Sequence, residues 1–184
     1  MIRIIIFLAA ALLSAIAQAG EAQNVIRLWG GQGGLWKGHI DIYGPASPVA
    51  KTVALTTRWD AAPDQSIVTK IETFSSPDTE LSSVTVMFAA ADGGDIITPY
   101  FAKGRQRDYR FSVVAVSLSD ATHWTTTIAT PGLQEIYEDR PAQLRYLRTR
   151  NGDTIENTKE VRFLDGARTG SYELRSFIRQ TREP

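Results

Sequence analysis

Cysteine is missing from this chain altogether. Its absence excludes a disulfide framework, thiolate chemistry and any thiolate-held metal, so packing and strand pairing must supply stability. Histidine is scarce, with His39 and His123 alone. A zinc site would need both plus carboxylates, and the nearest acids in sequence, Asp41 and Asp120, are tied to local turns. No Gly-x-Ser-x-Gly elbow and no Ser-x-x-Lys pair occurs, which removes two common serine-nucleophile patterns. The stretch Gly30-Gly31-Gln32-Gly33-Gly34 lacks the Gly-Lys-Ser/Thr ending of a nucleotide loop. It also runs into a strand where such a loop would open a helix. Neither a metal nor a cofactor is expected.

An excess of one charge sign is missing as well, since 20 Lys and Arg face 20 Asp and Glu. A balanced chain offers no basic face of the kind nucleic acids select, so no nucleic-acid partner is expected. Long hydrophobic runs are limited to one, residues 4–13. It follows Arg3 and precedes Ala17-Gln18-Ala19, the small-residue pattern that a signal peptidase accepts. The run is shorter than the roughly 20 residues that a membrane-spanning helix needs. Without cysteine there is no lipobox and no lipid anchor. Residues 1–19 therefore read as a cleavable signal peptide. Residues 20–184 read as one soluble domain, periplasmic or secreted, without a membrane anchor.

Short runs of β character divided by turn residues fill the rest of the chain. They cover residues 35–43, 51–59, 66–74, 81–89, 96–102, 109–118, 123–130, 133–138, 142–150, 154–164 and 171–181. Alternation places Trp36, Gly38, Ile40 and Ile42 on one face, and Val53, Leu55, Thr57 and Trp59 on another. Ile67 and Ile71 are in phase, as are Val84, Val86 and Phe88. Residues 109–118 are apolar on both faces, which suggests a central strand. Asn151-Gly152 marks a hairpin, although Asp139-Arg140-Pro141 would also suit the opening of a helix. Residues 171–181 fit a strand or a helix equally. The expected fold is an all-β, antiparallel up-and-down barrel of about 8–10 strands, with an open β-sandwich as the alternative.

Gly33-Gly34-Leu35-Trp36-Lys37-Gly38, followed by an up-and-down strand rhythm, resembles the lipocalin and calycin-like barrels. In that family a Gly-x-Trp motif opens the first strand, here Gly34-Leu35-Trp36, and its tryptophan plugs the barrel floor against an arginine. The resemblance implies an internal cavity for a small apolar ligand and offers Arg175 or Arg179 as the tryptophan's partner. Haem-holding relatives use a histidine near the C-terminus, which this chain lacks, so haem is not implied.

Three functions follow. The first is binding of a small apolar or amphipathic ligand in the interior, lined by Trp36, Ile40, Leu55, Trp59, Phe88, Phe111, Trp124 and Tyr146. It requires a cavity of a few hundred cubic ångströms, on the order of known ligand pockets. The second is a structural or protein-interaction module using the arginine-rich C-terminal third, where nine of the fifteen arginines lie between Arg140 and Arg182. Those arginines read either as a solvated face paired with interleaved acids or as a clamp for a carboxylate. The third is a hydrolase-like enzyme working near His39, beside Asp41, or near His123.

Overall fold

The computed structural model describes residues 20–44, 51–132, 135–138, 140–165 and 170–184. The expected signal peptide, the start of the expected run at 133–138 and Asp139 of the alternative helix opening lie outside the described residues.

The first element is a helix that the strand rhythm did not announce, α1 (Glu21–Gly30). Ala22, Val25, Ile26 and Trp29 recur at intervals of three and four, so they form one stripe, and all four are buried. Glu21 in the first turn and Arg27 in the last complement the helix dipole.

Strands follow without a further helix among the described residues. They are β1 (Gly34–Ile42), β2 (Lys51–Ala61), β3 (Ile67–Ser76), β4 (Thr79–Ala89), β5 (Asp95–Ala102) and β6 (Arg105–Asp120). Then come β7 (His123–Ala129), β8 (Glu135–Tyr137), β9 (Arg140–Asn151), β10 (Thr154–Phe163) and β11 (Glu173–Arg182). Neighbours pair antiparallel in chain order, β9 pairs with both β7 and β10, and β1 pairs with β11. Ten strands thus close into an up-and-down barrel, while the three-residue β8 extends only the start of β9. Closure excludes the open sandwich, because no long edge is left unpaired. Residues 140–147 and 173–181 are strand rather than helix. At 151–154 the left-handed φ of 60° falls on Gly152, where glycine has no Cβ to clash.

The closing seam depends on one small residue. Gly38 lies opposite Gln180, and a Cβ at Gly38 would stand 1.9 Å from the Arg179 carbonyl oxygen and 2.8 Å from the Gln180 Cα. Only glycine lets β1 and β11 approach so closely.

Side-chain facing departs from the apolar alternation in two strands. In β3 the buried or half-buried interior set is Val68, Lys70, Glu72 and Phe74, while Ile67 and Ile71 are 43% and 37% exposed. In β4 Ser83, Thr85 and Met87 are buried, which puts Val84, Val86 and Phe88 on the outer face. The apolar character of 109–118 on both faces has a different cause. A bulge between Val113 and Ala115 switches the phase of β6, so Phe111 and Val113 pack inward before it and Val116 after it.

Candidate functional site

One end of the barrel, its floor, is sealed by α1 and the turn that leads into β1. Trp29 Nε1 donates to Thr126 Oγ1 at 3.3 Å, and Trp36 Nε1 donates to the Gln32 carbonyl at 2.8 Å. Arg150 Nη1 donates to the Gly31 carbonyl at 2.9 Å, and Arg182 Nη2 donates to that of Gly33 at 2.9 Å. Both carbonyls follow the end of α1, where unsatisfied acceptors favour cations. The Arg150 guanidinium carbon is 5.6 Å from the Trp36 ring centre. The arginine on the motif tryptophan is therefore Arg150 of β9, not Arg175 or Arg179. Arg179 alternates outward beside the buried Gln180, and it lies 3.7 Å from Glu156. Arg175 sits at the opposite end of the barrel, 5.4 Å from the Phe163 ring centre and 3.3 Å from a Glu173 carboxylate oxygen.

Above the floor the interior leaves a cavity of about 230 Å³. Its lining comes from α1 and from strands around the barrel: Trp29, Ile40, Met87, Phe111, Ile128, Tyr146 and Ile178 supply apolar surface. Between them stand Lys70, Glu72, Thr85, Thr98, Thr126, Arg148, Asn157 and Lys159. Phe111 and Tyr146 meet edge to face, 5.4 Å between ring centres.

Charge in this wall is unbalanced. Lys70 Nζ binds Glu72 Oε2 at 2.9 Å, and both side chains are largely buried. Lys159 Nζ lies 4.4 Å from the Tyr137 ring centre. The Arg148 guanidinium carbon lies 4.4 Å from the ring centre of Trp29 and 4.8 Å from that of Trp59. Arg148 is 7% exposed, and its Nε and Nη1 reach no hydrogen-bond acceptor among the described residues. Burial pulls the Arg148 guanidinium down to about 10, which keeps it charged at neutral pH. Burial also lowers Lys70, with Glu72 opposing the shift and Arg148 adding to it. The Tyr146 hydroxyl is pushed far up, mainly by burial, and stays protonated. Among the described residues, the lining holds three basic side chains, Lys70, Arg148 and Lys159, and one carboxylate, Glu72.

The structure brings together some of the expected ligand-site residues and separates others. Ile40, Phe111 and Tyr146 line the cavity. Trp59 is buried in the interior against Arg148 and Lys70, 5.8 Å from the latter's Nζ. Trp36 lies beneath, in the floor, and Leu55 packs with Ile40 and Ile178 in a side cluster. Trp124 is buried beside an open depression over β6, β7 and β9, separate from the cavity. Phe88 is on the outer face, since Met87 takes the inward position next to it. The expectation missed Lys70, Glu72, Arg148 and Lys159. They were legible only as polar residues occupying the inward phase of their strands.

Elsewhere in the arginine-rich third, Arg140, Arg145, Arg175 and Arg179 are each within 4 Å of an acidic side chain. Arg140 meets Asp165 at 2.9 Å and Arg145 meets Glu160 at 2.6 Å. His39, its side chain 43% exposed, is 3.9 Å from Asp41. His123 Nδ1 is 2.9 Å from Asp120 Oδ2 on an exposed turn, bordering the open depression. Hydrogen bonds from the Thr122 hydroxyl and amide, and then from His123, hold the Asp120 carboxyl well below its ordinary range. Neither histidine lines the barrel cavity. Among known proteins, no family model matches the chain and no curated sequence matches it.

Proposed function

We propose that this protein is a calycin-like carrier that holds one small amphipathic molecule inside its barrel, acting in the periplasm or outside the cell. The observation that carries the reading is the cavity, about 230 Å³ and lined from α1 and most of the wall. Its size is near the lower edge of the ~300–1,000 Å³ common for ligand pockets, which favours a small ligand. The mixture of aromatic, aliphatic and charged lining favours an amphipathic ligand over a wholly apolar one. The Gly34-Leu35-Trp36 opening, with an arginine set on Trp36, supports the calycin-like reading. The export signal read at residues 1–19 supports the location.

Native mass spectrometry of the protein purified from its own host tests the reading. A discrete small molecule released from the folded protein is the expected result. Bare protein, together with no change in tryptophan fluorescence on adding small amphiphiles of any charge, would overturn it.

A further inference from the structure

We infer that the ligand carries an anionic head of the carboxylate class, and that Arg148 is its anchor inside the barrel. This rests on the interior-binding reading and specifies which end of the ligand the protein recognises.

A buried guanidinium ordinarily finds acceptors for its five N–H groups, because an unmet charged donor is costly in a low-dielectric interior. Arg148 does not. Its neighbours are the indoles of Trp29 and Trp59, which favour a cation through their ring faces but accept no in-plane N–H bond. The one carboxylate in the cavity wall among the described residues, Glu72, is already held by Lys70 at 2.9 Å. One more buried hydroxyl facing the same cavity lacks a partner among the described residues, Thr98 Oγ1. A planar carboxylate matches the rim of a guanidinium with two parallel bonds, which a neutral head cannot reproduce. A negative head also suits a lining that, among the described residues, holds three basic side chains and one acid. The Thr98 hydroxyl can donate to it. Met87, Phe111, Ile128 and Ile178 remain to receive a short apolar tail.

Matched amphiphiles separate the head from the tail. Octanoate, octanol and octylammonium are titrated against the protein, reading tryptophan fluorescence and heat. Octanoate should bind about tenfold to a hundredfold tighter than octanol, the scale of a hydrogen bond to a charged group. Octylammonium should bind more weakly than either. In Arg148→Met the preference of octanoate over octanol should vanish. In Arg148→Lys, which keeps the charge but loses the fork, octanoate should weaken by about tenfold. Equal binding of octanoate and octanol to the unmodified protein overturns the anionic head while leaving interior binding intact. Octanoate affinity unchanged in Arg148→Lys overturns Arg148 as the anchor. Failure of all three amphiphiles to bind overturns the carrier reading itself.

Discussion

Replacing Arg148 by methionine should stabilise the ligand-free barrel. The residue is 7% exposed, and its Nε and Nη1 lack acceptors among the described residues. Each unmet donor on a charged group costs about 1–3 kcal/mol. Against that stand two cation–π contacts, to Trp29 and Trp59, worth roughly 0.5–2 kcal/mol each. Methionine fills similar space, can lie against both indoles and needs no acceptor. The substitution also relieves Lys70, whose ammonium Arg148 disfavours, and it leaves the Lys70–Glu72 pair in place. The net gain is about 1–2 kcal/mol, or a rise in Tm of about 2–8 °C for a domain of this size. Urea unfolding of protein stripped of small molecules, followed by near-ultraviolet circular dichroism, gives the number. A loss of more than about 1 kcal/mol would refute the reasoning and make Arg148 a structural residue.

Three further substitutions probe the frame around the cavity. Gly38→Ala should cost about 3 kcal/mol, because its Cβ would meet the Arg179 carbonyl across the closing seam. Amide exchange should then quicken first along β1 and β11, and uniform exchange would count against a local clash. Trp29→Ala should cost about 3–5 kcal/mol by emptying the floor, and denaturant unfolding measures it. A loss below 1 kcal/mol would mean that α1 does not seal the barrel. Asp120 has a folded pKa below its ordinary value of 3.8, so its stabilisation is present above that value and is lost as pH falls below it. The urea midpoint of Asp120→Asn should therefore converge on that of the unmodified protein between about pH 4 and pH 2. A constant difference over that range would exclude the linkage.

Topology was legible because turn chemistry punctuates the chain. Asn151-Gly152, Pro131-Gly132 and Asp92-Gly93-Gly94 each stand at or between strand ends, and up-and-down order then follows from short connections. The contents of the barrel were less legible, for a physical reason. Reading the apolar phase as inward assumes a solvated outer face and a dry core. In β3 and β4 this protein reverses that, holding Lys70, Glu72, Ser83 and Thr85 inside and Ile67, Ile71, Val84 and Phe88 outside. No local rule distinguishes a polar interior phase from a polar exterior one. The bulge in β6 hides phase in a second way, since a one-residue slip moves every later side chain to the other face. Helix α1 was legible in principle, because Ala22, Val25, Ile26 and Trp29 have helical spacing just before the glycine-rich turn.

Stability and binding are coupled through the same guanidinium, which gives a criterion sharper than either measurement alone. A ligand that binds only the folded state adds RT ln(1 + [L]/Kd), about 2.7 kcal/mol at a hundredfold excess over Kd. The variant still binds through the tail, so at saturation the unmodified protein gains over it only the ratio of the two Kd values, about 1.4–2.7 kcal/mol for tenfold to a hundredfold. Set against the roughly 1–2 kcal/mol that methionine at 148 should gain by removing unmet donors, this should bring the order of stability to a crossing. Without ligand, Arg148→Met unfolds at higher urea than the unmodified protein. With saturating octanoate the unmodified protein overtakes it, because the variant has no guanidinium to engage the carboxylate. With octanol the original order persists, since an alcohol adds the same tail contacts to both proteins. A crossing with octanoate and none with octanol ties the cost of the buried charge to its use. Parallel shifts with both ligands would mean that the tail alone is recognised and that Arg148 is buried for another reason.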